Sequence, residues 1–211
     1  MKSSQIVRSA IIASLIVAVL ANARPALALV ASDYVGGGTL GNFGNVTGWY
    51  FSPNVNIFVT NLGLYDHDAS GFASSHDVGI FLNGGATVVT ASLGPGLSGT
   101  FVPGTVNGTR VVPVAPTMLL AGQTYYTVAN NFSTDTYAYG TGAVTHAPQI
   151  TWLGFGDGSS NSIFSPVTNF GGLPGNTGPN FLFELVPEPT SFIIACFAMI
   201  GLAGCRCSRD S

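Results

Sequence analysis

The residue types best suited to chemistry are concentrated in the stretch DHDASGFASSHD, which begins at Asp66. On the template of a twelve-residue calcium loop, Asp66, Asp68 and Ser70 take the first, third and fifth positions. Gly71 stands where that loop bends sharply, and Asp77 takes the last position. Because Ca²⁺ binds several oxygen ligands, the four oxygen-bearing residues predict a calcium site, with calcium as the candidate cofactor.

A solvated turn is the alternative interpretation of this stretch. The last position of the template normally carries glutamate, whose longer side chain reaches the ion with both oxygens, whereas here it carries aspartate. The flanking sequences predict strands rather than the helix pair of calcium-binding proteins. Since Asp, Ser and Gly are also common in turns that hold no ion, the sequence leaves both interpretations open.

Three histidines could serve as zinc ligands or as a general base: His67, His76 and His146. Asp77 follows His76 directly and could orient its ring. However, the central part of the chain has no cysteine and no sequence motif of a serine hydrolase or a zinc protease. We therefore expect His76 to be a structural residue that bonds a loop backbone, and we predict no catalytic residue and no enzymatic activity.

Aromatic side chains indicate a second mode of binding. If they are exposed, Trp152, Tyr137 and Tyr139 could stack against sugar rings, as in a carbohydrate-binding module. The alternative is that these rings fill the core of a β-sandwich, which needs bulky inward-facing side chains. The sequence favours the core for most of the aromatic residues.

The charge distribution separates the ends of the chain from its centre. Five of the six basic residues lie near the termini, and these are Lys2, Arg8, Arg24, Arg206 and Arg209. Between Ala31 and Val186 only Arg110 is basic, and one positive charge against seven acidic residues leaves a net charge of −6. A region so poor in basic residues lacks the surface that binds phosphates, so we expect no nucleic-acid partner.

The central part of the chain predicts the all-β fold that must position these residues. Short apolar and β-branched runs alternate with Gly, Asn and Pro clusters, and no helical period of useful length is present. This pattern predicts a two-sheet, jelly-roll-like β-sandwich of about nine strands. The Asn-Gly-Gly at residues 83–85 predicts a hairpin between DVGIFLN and ATVVTASL. Residues 155–179 are predicted to form a long surface loop.

Three short blocks mark this region: GWYF at 48–51, SHDVG at 75–79 and LLAGQTYY at 119–126. With the sequence around them, over residues 45–130, they resemble an uncharacterised β-sandwich domain of exported bacterial proteins. The resemblance implies a β-sandwich fold and an exported location. It implies no reaction, since that family has no established activity.

The start of the chain predicts an export signal over residues 1–28. A positively charged beginning is followed by an apolar run over residues 10–21, which has about the length expected for the apolar region of a signal peptide. Cleavage is predicted after Ala28, and a second small-residue site ends at Ala23. An uncleaved membrane anchor is the alternative.

The end of the chain, VPEPTSFIIACFAMIGLAGCRCSRDS, predicts a membrane segment. The stretch from Thr190 to Cys205 is uncharged, and as a helix it would extend roughly 24 Å, close to the thickness of a membrane core. Arg206 and Arg209 follow it, as expected at the cytoplasmic end of a membrane span.

Pro187, Glu188 and Pro189 precede the apolar stretch, and the two prolines favour an extended backbone that a protease can bind. The order of motif, apolar segment and basic tip resembles the PEP-CTERM sorting signal of Gram-negative bacteria. That resemblance implies transient recognition by an exosortase in the inner membrane, cleavage near the motif, and release or attachment at the cell surface. Bacteria that carry this sorting signal usually produce extracellular polysaccharide. Cys205 and Cys207 depart from the arginine run of the family.

These features predict a signal peptide over residues 1–28, a β-sandwich domain over residues 29–185, and a sorting and anchor segment over residues 186–211. A signal helix would precede the sandwich and a transmembrane helix would follow it. The expected function is that of an exported, surface-sorted, non-enzymatic protein of the extracellular matrix or envelope. It would stay anchored in the membrane through its C-terminal segment until it is processed. A carbohydrate-binding module for extracellular polysaccharide is the alternative.

Overall fold

The computed structural model describes residues 28–41, 46–139, 144–158, 160–164, 168–169 and 178–186. The predicted signal peptide before Ala28, the motif Pro187-Glu188-Pro189, and Arg206 and Arg209 lie outside these residues, as do both predicted terminal helices. Among the described residues there is no helix with the length and apolar character needed to span a membrane.

The described part of the chain contains fifteen β-strands. They are β1 (Leu29–Val30), β2 (Ser32–Tyr34), β3 (Thr39–Gly41), β4 (Val46–Pro53), β5 (Ile57–Asp66), β6 (His76–Leu82), β7 (Thr87–Leu93), β8 (Thr100–Pro103), β9 (Gly108–Leu119), β10 (Tyr125–Asn130), β11 (Tyr137–Tyr139), β12 (Val144–His146), β13 (Ile150–Gly158), β14 (Thr168–Asn169) and β15 (Pro179–Leu185). Nine of them are four residues or longer, whereas the sequence predicted about nine strands in all. The other six have two or three residues, too few for an alternating pattern to show in the sequence.

The nine longer strands, together with the short β1 and β14, form two antiparallel sheets. One has the strand order β1-β15-β5-β9-β8, and the other has the order β14-β13-β4-β10-β6-β7. The pairs β3 with β11 and β2 with β12 form two-stranded sheets beside them. Apolar side chains from both large sheets share one buried cluster, as expected when two sheets pack face to face. The predicted all-β, sandwich-like fold is therefore confirmed.

The Asn-Gly-Gly hairpin is also confirmed. It joins β6 to β7, and the Leu82 amide donates to the Ala86 carbonyl at 2.9 Å. Gly85 has a φ of 91°, a left-handed conformation that residues with a Cβ rarely adopt. Local turn chemistry was therefore sufficient to predict this connection.

Two segments differ from their predicted extent. β9 continues through Pro113 and Pro116 to Leu119, whereas the sequence predicted that the stretch PTMLLAG, which begins at Pro116, connects two strands. β8 covers only residues 108–111 of β9, so the two prolines lie where one edge of β9 is open and an absent amide is tolerated. The predicted loop 155–179 begins inside β13 and includes β14; its residues 159, 165–167 and 170–177 lie outside the described part.

Aromatic rings from facing strands form the centre of the core. Trp49 and Phe51 on β4 pack against Phe181 on β15, with ring centroids 5.8 and 5.0 Å apart, and all three side chains are fully buried. The Trp49 indole also donates to the Pro179 carbonyl at 2.8 Å, which satisfies its only donor. Each buried ring contributes about 2–3 kcal/mol to the free energy of unfolding, and no cysteine occurs in this region to supplement the core.

The direction of β5 defines two ends of the sandwich. β5 starts at Ile57, which pairs with Leu185 near the end of β15, and it stops at Asp66, which pairs with Gly108. Its ten residues at about 3.3 Å each separate these ends by roughly 30 Å. The tail end, where β15 stops, comprises residues 54–56, 83–86, 118–124, 147–149 and 185–186. The opposite end, where a surface cleft opens between Asp66 and Thr136, is the cleft end; it comprises residues 66–73, 104–107 and 131–136.

His146 on β12 packs between two indole rings. Its centroid lies 5.1 Å from that of Trp49 and 6.4 Å from that of Trp152. Its Nδ1 atom is buried without a hydrogen-bond partner in the described residues. Burial lowers the pKa of His146 from 6.5 to about 4, so the folded protein holds this ring neutral at neutral pH.

We predict that acid destabilises the fold partly through His146. With the ordinary pKa of 6.5 in the unfolded chain and about 4 in the fold, the unfolded state binds a proton at pH values where the folded state does not. This contribution to stability is complete above pH 6.5 and is lost as the pH falls to about 4, by at most about 3 kcal/mol. Denaturant titrations across this range should show the slope. The variant His146→Phe keeps a ring that cannot titrate and should flatten the slope; equal slopes in the two proteins would contradict the prediction.

Candidate functional site

A cleft of about 340 Å³ opens at the cleft end. The loop that follows β5 forms one wall, and the residues that precede β11 form the other. Its lining includes Asp66, Asp68, Ser70, Thr134 and Asp135, so oxygen-bearing side chains from both walls face a common space. This cleft brings together the first three predicted calcium ligands.

The turn after β5 is compact because its own carboxylates bond its backbone. The Ser70 amide donates to Asp68 at 3.0 Å, and the Gly71 amide donates to Asp66 at 3.0 Å. Gly71 has a φ of 91°, and a Cβ there would lie 2.2 Å from the carbonyl oxygen of Gly96. Only glycine fits this position, as the sharp bend in the sequence predicted.

A buried ion pair holds the base of the cleft. The exposed fraction of Asp66 is 2% and that of Arg110 is 6%, and the Arg110 Nε atom lies 2.6 Å from Asp66 Oδ2. The guanidinium group also donates to the carbonyl oxygens of Ala69 and Leu97, at 3.1 and 3.3 Å. The single basic residue of the predicted sandwich domain therefore ties β9 to the turn after β5 and to the loop before β8.

The second oxygen of Asp66 has different surroundings. Asp66 Oδ1 is buried and has no hydrogen-bond partner among the described residues. Near it in the turn, Asp68 is exposed, and hydrogen bonds from the hydroxyl and the amide of Ser70 lower the pKa of its carboxyl. The turn therefore exposes the carboxyl group of Asp68 and the hydroxyl group of Ser70, while Asp66 has one oxygen held by Arg110 and the other buried without a partner among the described residues.

Asp77, the fourth predicted calcium ligand, is not part of the cleft lining. It lies on β6, where its carboxylate accepts hydrogen bonds from Ser92 at 2.5 Å and from Asn130 at 3.4 Å. The described residues contain no group of three or more His, Cys, Asp or Glu side chains placed to hold a metal ion. The structure thus brings Asp66, Asp68 and Ser70 together and places Asp77 in another hydrogen-bond network.

His76 connects β6 to the opposite wall of the cleft. Its ring is fully buried, with Nδ1 2.7 Å from the Asn130 carbonyl oxygen and Nε2 3.0 Å from the Asp135 carboxylate. Hydrogen bonds therefore engage both ring nitrogens, one with the backbone after β10 and the other with Asp135. Neither nitrogen is free to exchange a proton with a molecule in the cleft, which matches the structural role expected for His76.

The Asp135 carboxylate forms hydrogen bonds with several groups. The amides of Ala73 and Ser74 donate to its two oxygens at 2.7 and 3.0 Å. Burial raises the pKa of Asp135, but these amides and His76 lower it by more, so the net pKa lies below the usual value. The network fixes the far wall of the cleft against the start of β6.

The aromatic residues considered for sugar stacking have mixed surroundings. Tyr137 is 4% exposed and belongs to the core cluster, so it offers no face to a ligand. Trp152 is half-buried against His146, and its indole nitrogen is buried. The side chain of Tyr139 lies outside the described part of the structure.

Two residues of the site were not singled out from the sequence. Arg110 carried a usable signal, because a lone cation in an acidic domain is a natural partner for a buried carboxylate. Asp135 carried none, since it lies 59 residues from His76 in a stretch without any motif. The sequence pointed instead to Asp77 as the partner of His76, and this interpretation was wrong.

The comparisons with known proteins leave this site to be interpreted from its own geometry, because the sequence matches no family model and no curated protein.

We predict that Arg110→Met destabilises the protein by about 3–5 kcal/mol, because it leaves the Asp66 carboxylate buried without a cation. The double variant Arg110→Met/Asp66→Asn should lose less, since the orphaned charge is removed as well. Denaturant unfolding of the two variants and the unmodified chain gives the comparison. Asp68→Asn, at an exposed position of the same turn, is the control and should change the stability by less than about 1 kcal/mol. A double variant no more stable than Arg110→Met would contradict this account.

Proposed function

We propose that this protein is exported and sorted to the cell surface, and that its sandwich is a non-enzymatic component of the extracellular matrix or envelope. Its C-terminal segment would anchor it in the inner membrane until an exosortase cleaves near Pro187-Glu188-Pro189. The sandwich would have jelly-roll-like connectivity and would engage its partners through the cleft end.

The observation that carries the proposal is the position of the sorting motif relative to the fold. β15 stops at Leu185, and the Val186 amide makes a last bond, to the Asn56 carbonyl at 3.3 Å. Pro187 is the next residue, so the motif begins directly beyond the sandwich. A protease could bind it there without unfolding a strand.

The start of the fold supports the export step in the same way. Ala28 is exposed, and β1 begins at Leu29, which pairs with Phe183 on β15. Cleavage after Ala28 would therefore remove the signal peptide and leave every described strand intact. Both processing sites lie at the borders of one folded unit.

The chemistry of the cleft supports a binding role over a catalytic one. Asp66 is paired with Arg110, and both nitrogens of His76 are occupied. What remains accessible is a set of hydrogen-bonding groups, which includes Asp68 and Ser70. Such groups, together with His67 in the same lining, can hold a polar ligand through hydrogen bonds.

A carbohydrate-binding module is the second candidate function. The observation that favours it is the cleft lining, which includes the hydroxyl-bearing residues Ser70, Thr134 and Thr136 as well as Asp68. Groups of this kind donate to and accept from sugar hydroxyls. Binding would then depend on hydrogen bonds rather than on stacking, because Tyr137 is buried.

Mass spectrometry of the protein purified from its host tests the sorting proposal. We expect a mature chain that begins at Leu29 and ends near Pro187-Glu188-Pro189. In a Glu188→Ala variant we expect the C-terminal segment to be retained, because the motif that the exosortase recognises is altered. A chain with intact termini at Met1 and Ser211 would refute both processing steps.

Calcium binding at the turn after β5 is proposed as a weak interaction. It is supported by the buried, unpartnered Oδ1 of Asp66 and by the nearby carboxyl group of Asp68. The guanidinium of Arg110 opposes it, so we expect a dissociation constant on the order of 10⁻⁴–10⁻³ M, as in extracellular modules. Calorimetry should show binding heat that Asp68→Ala abolishes and that Asp77→Ala, outside the cleft, leaves unchanged.

The Asp77→Ala control separates two versions of the site. Loss of calcium binding in Asp77→Ala would support the twelve-residue loop predicted from the sequence, in which Asp77 is the last ligand. Absence of binding heat in the unmodified chain would rule out both versions and leave a solvated turn.

A further inference from the structure

We propose that the tail end of the sandwich docks on the lipid surface of the membrane, so that the cleft end faces away from it. The inference rests on the proposed function, in which the segment from Thr190 to Cys205 is a membrane anchor. It adds an interaction surface to that function and fixes the orientation in which the anchored protein is presented.

Exposed apolar side chains are concentrated at the tail end. Among the described residues, seven large hydrophobic side chains are exposed. Four of them lie at this end: Val55, Met118, Leu120 and Leu185, with exposed fractions of 41, 48, 49 and 41%. Single exposed apolar residues are ordinary on protein surfaces, but a group at one end indicates an interaction site.

Strand pairing and turn contacts place these four residues close together. Ile57 pairs with Leu119 on one side and with Leu185 on the other, so the segments of Met118, Leu120 and Leu185 flank the start of β5. The turn that carries Val55 is bonded to both segments, because Asn56 accepts from the amides of Ala121 and Val186, at 2.9 and 3.3 Å. The four exposed apolar residues therefore lie on neighbouring, hydrogen-bonded segments rather than at scattered positions.

Charge distinguishes the two ends of the sandwich. The residues of the tail end include no Asp, Glu, Lys or Arg, and the nearest carboxylate along the chain is Glu184. All six aspartates of the sandwich lie at or beside the cleft end: Asp33, Asp66, Asp68, Asp77, Asp135 and Asp157. A surface of anionic lipid repels carboxylates, so the uncharged apolar end is the one that can approach it.

The length of chain beyond the fold keeps this end near the membrane. The sandwich ends at Val186, and the uncharged segment begins at Thr190, four residues later. Even fully extended, four residues span at most about 14 Å. β1 pairs antiparallel with β15, so the start of the described chain at Ala28 also lies toward the tail end.

The consequence concerns access to the cleft. β5 separates the two ends by roughly 30 Å, so a sandwich that stands on its tail end holds the cleft beyond the lipid headgroups. Ligands of the extracellular space could then reach Asp68 and Ser70 while the protein is still anchored.

Site-specific quenching in vesicles of phosphatidylethanolamine and phosphatidylglycerol tests the docking. Three single-cysteine versions of the full chain carry an environment-sensitive fluorophore: at native Cys196 in the tail, at Ala121→Cys on the tail end, and at Leu97→Cys near the cleft end. The remaining native cysteines are replaced by serine. We expect headgroup nitroxide lipids to quench the label at position 121 several-fold more than the label at position 97. Acyl-chain nitroxides should quench the label at Cys196.

The three labels separate failure of the anchor from failure of the docking. No quenching at Cys196 would overturn the membrane anchor itself. Quenching at Cys196 with equal, weak quenching at positions 121 and 97 would overturn the docking alone. Protection of the label at position 121 from aqueous iodide before vesicles are added would also overturn it, because the apolar tail of the chain would then cover this surface.

Variants of the surface supply a matched control. Met118→Ser/Leu120→Ser should lower the quenching at position 121 and leave that at Cys196 unchanged. Leu97→Ser, combined with the label at position 121, should have no effect because Leu97, although 67% exposed, lies at the other end. An unchanged signal at position 121 in the double variant would contradict the proposal.

Discussion

The antiparallel pairing of β5 with β9 on one side and β15 on the other is the constraint on which the rest of the structure depends. β5 crosses the whole sandwich and pairs with β9 from Ile57 to Asp66 and with β15 from Ile57 to Leu64. Its last residue, Asp66, is thereby carried to the rim of one end and held against Arg110. Its first residue, Ile57, meets the strand from which the chain leaves the fold. The register of β5 with its two neighbours thus sets the position of the cleft, of the Asp66–Arg110 ion pair and of the end of β15.

The described residues include few charged side chains, and the structure shows which groups pair with the buried carboxylates among them. A carboxylate buried without partners would be costly, so Asp66 is matched by the guanidinium of Arg110. Asp135 is matched by His76 and by backbone amides, which replace the water it loses on burial. The walls of the cleft are therefore held by paired charged groups, while Asp66 Oδ1 keeps no hydrogen-bond partner among the described residues.

Much of the fold could be predicted because it is local. Alternating runs indicated the long strands, and Asn-Gly-Gly indicated the hairpin at Gly85, since both patterns follow from backbone geometry over a few residues. The short strands could not be predicted, because pairs such as β3 with β11 form only when distant segments meet. The candidate site divides in the same way. Asp66, Asp68 and Ser70 share a turn that the sequence spacing indicated, whereas Asp77 lies on a strand, where its side chain points away from that of His76.

By itself, the sequence determined that the central region is β-rich, acidic and free of cysteine, and that its apolar, basic ends differ from it in composition. These properties depend only on which residues are present and on their near neighbours. The tertiary structure alone decided that Asp135 rather than Asp77 pairs with His76, and that Arg110 neutralises Asp66. It also decided that the aspartates gather at one end and that four exposed apolar side chains lie at the other. Such a separation depends on the direction and register of every strand, which long-range pairing sets and which no short stretch of sequence contains.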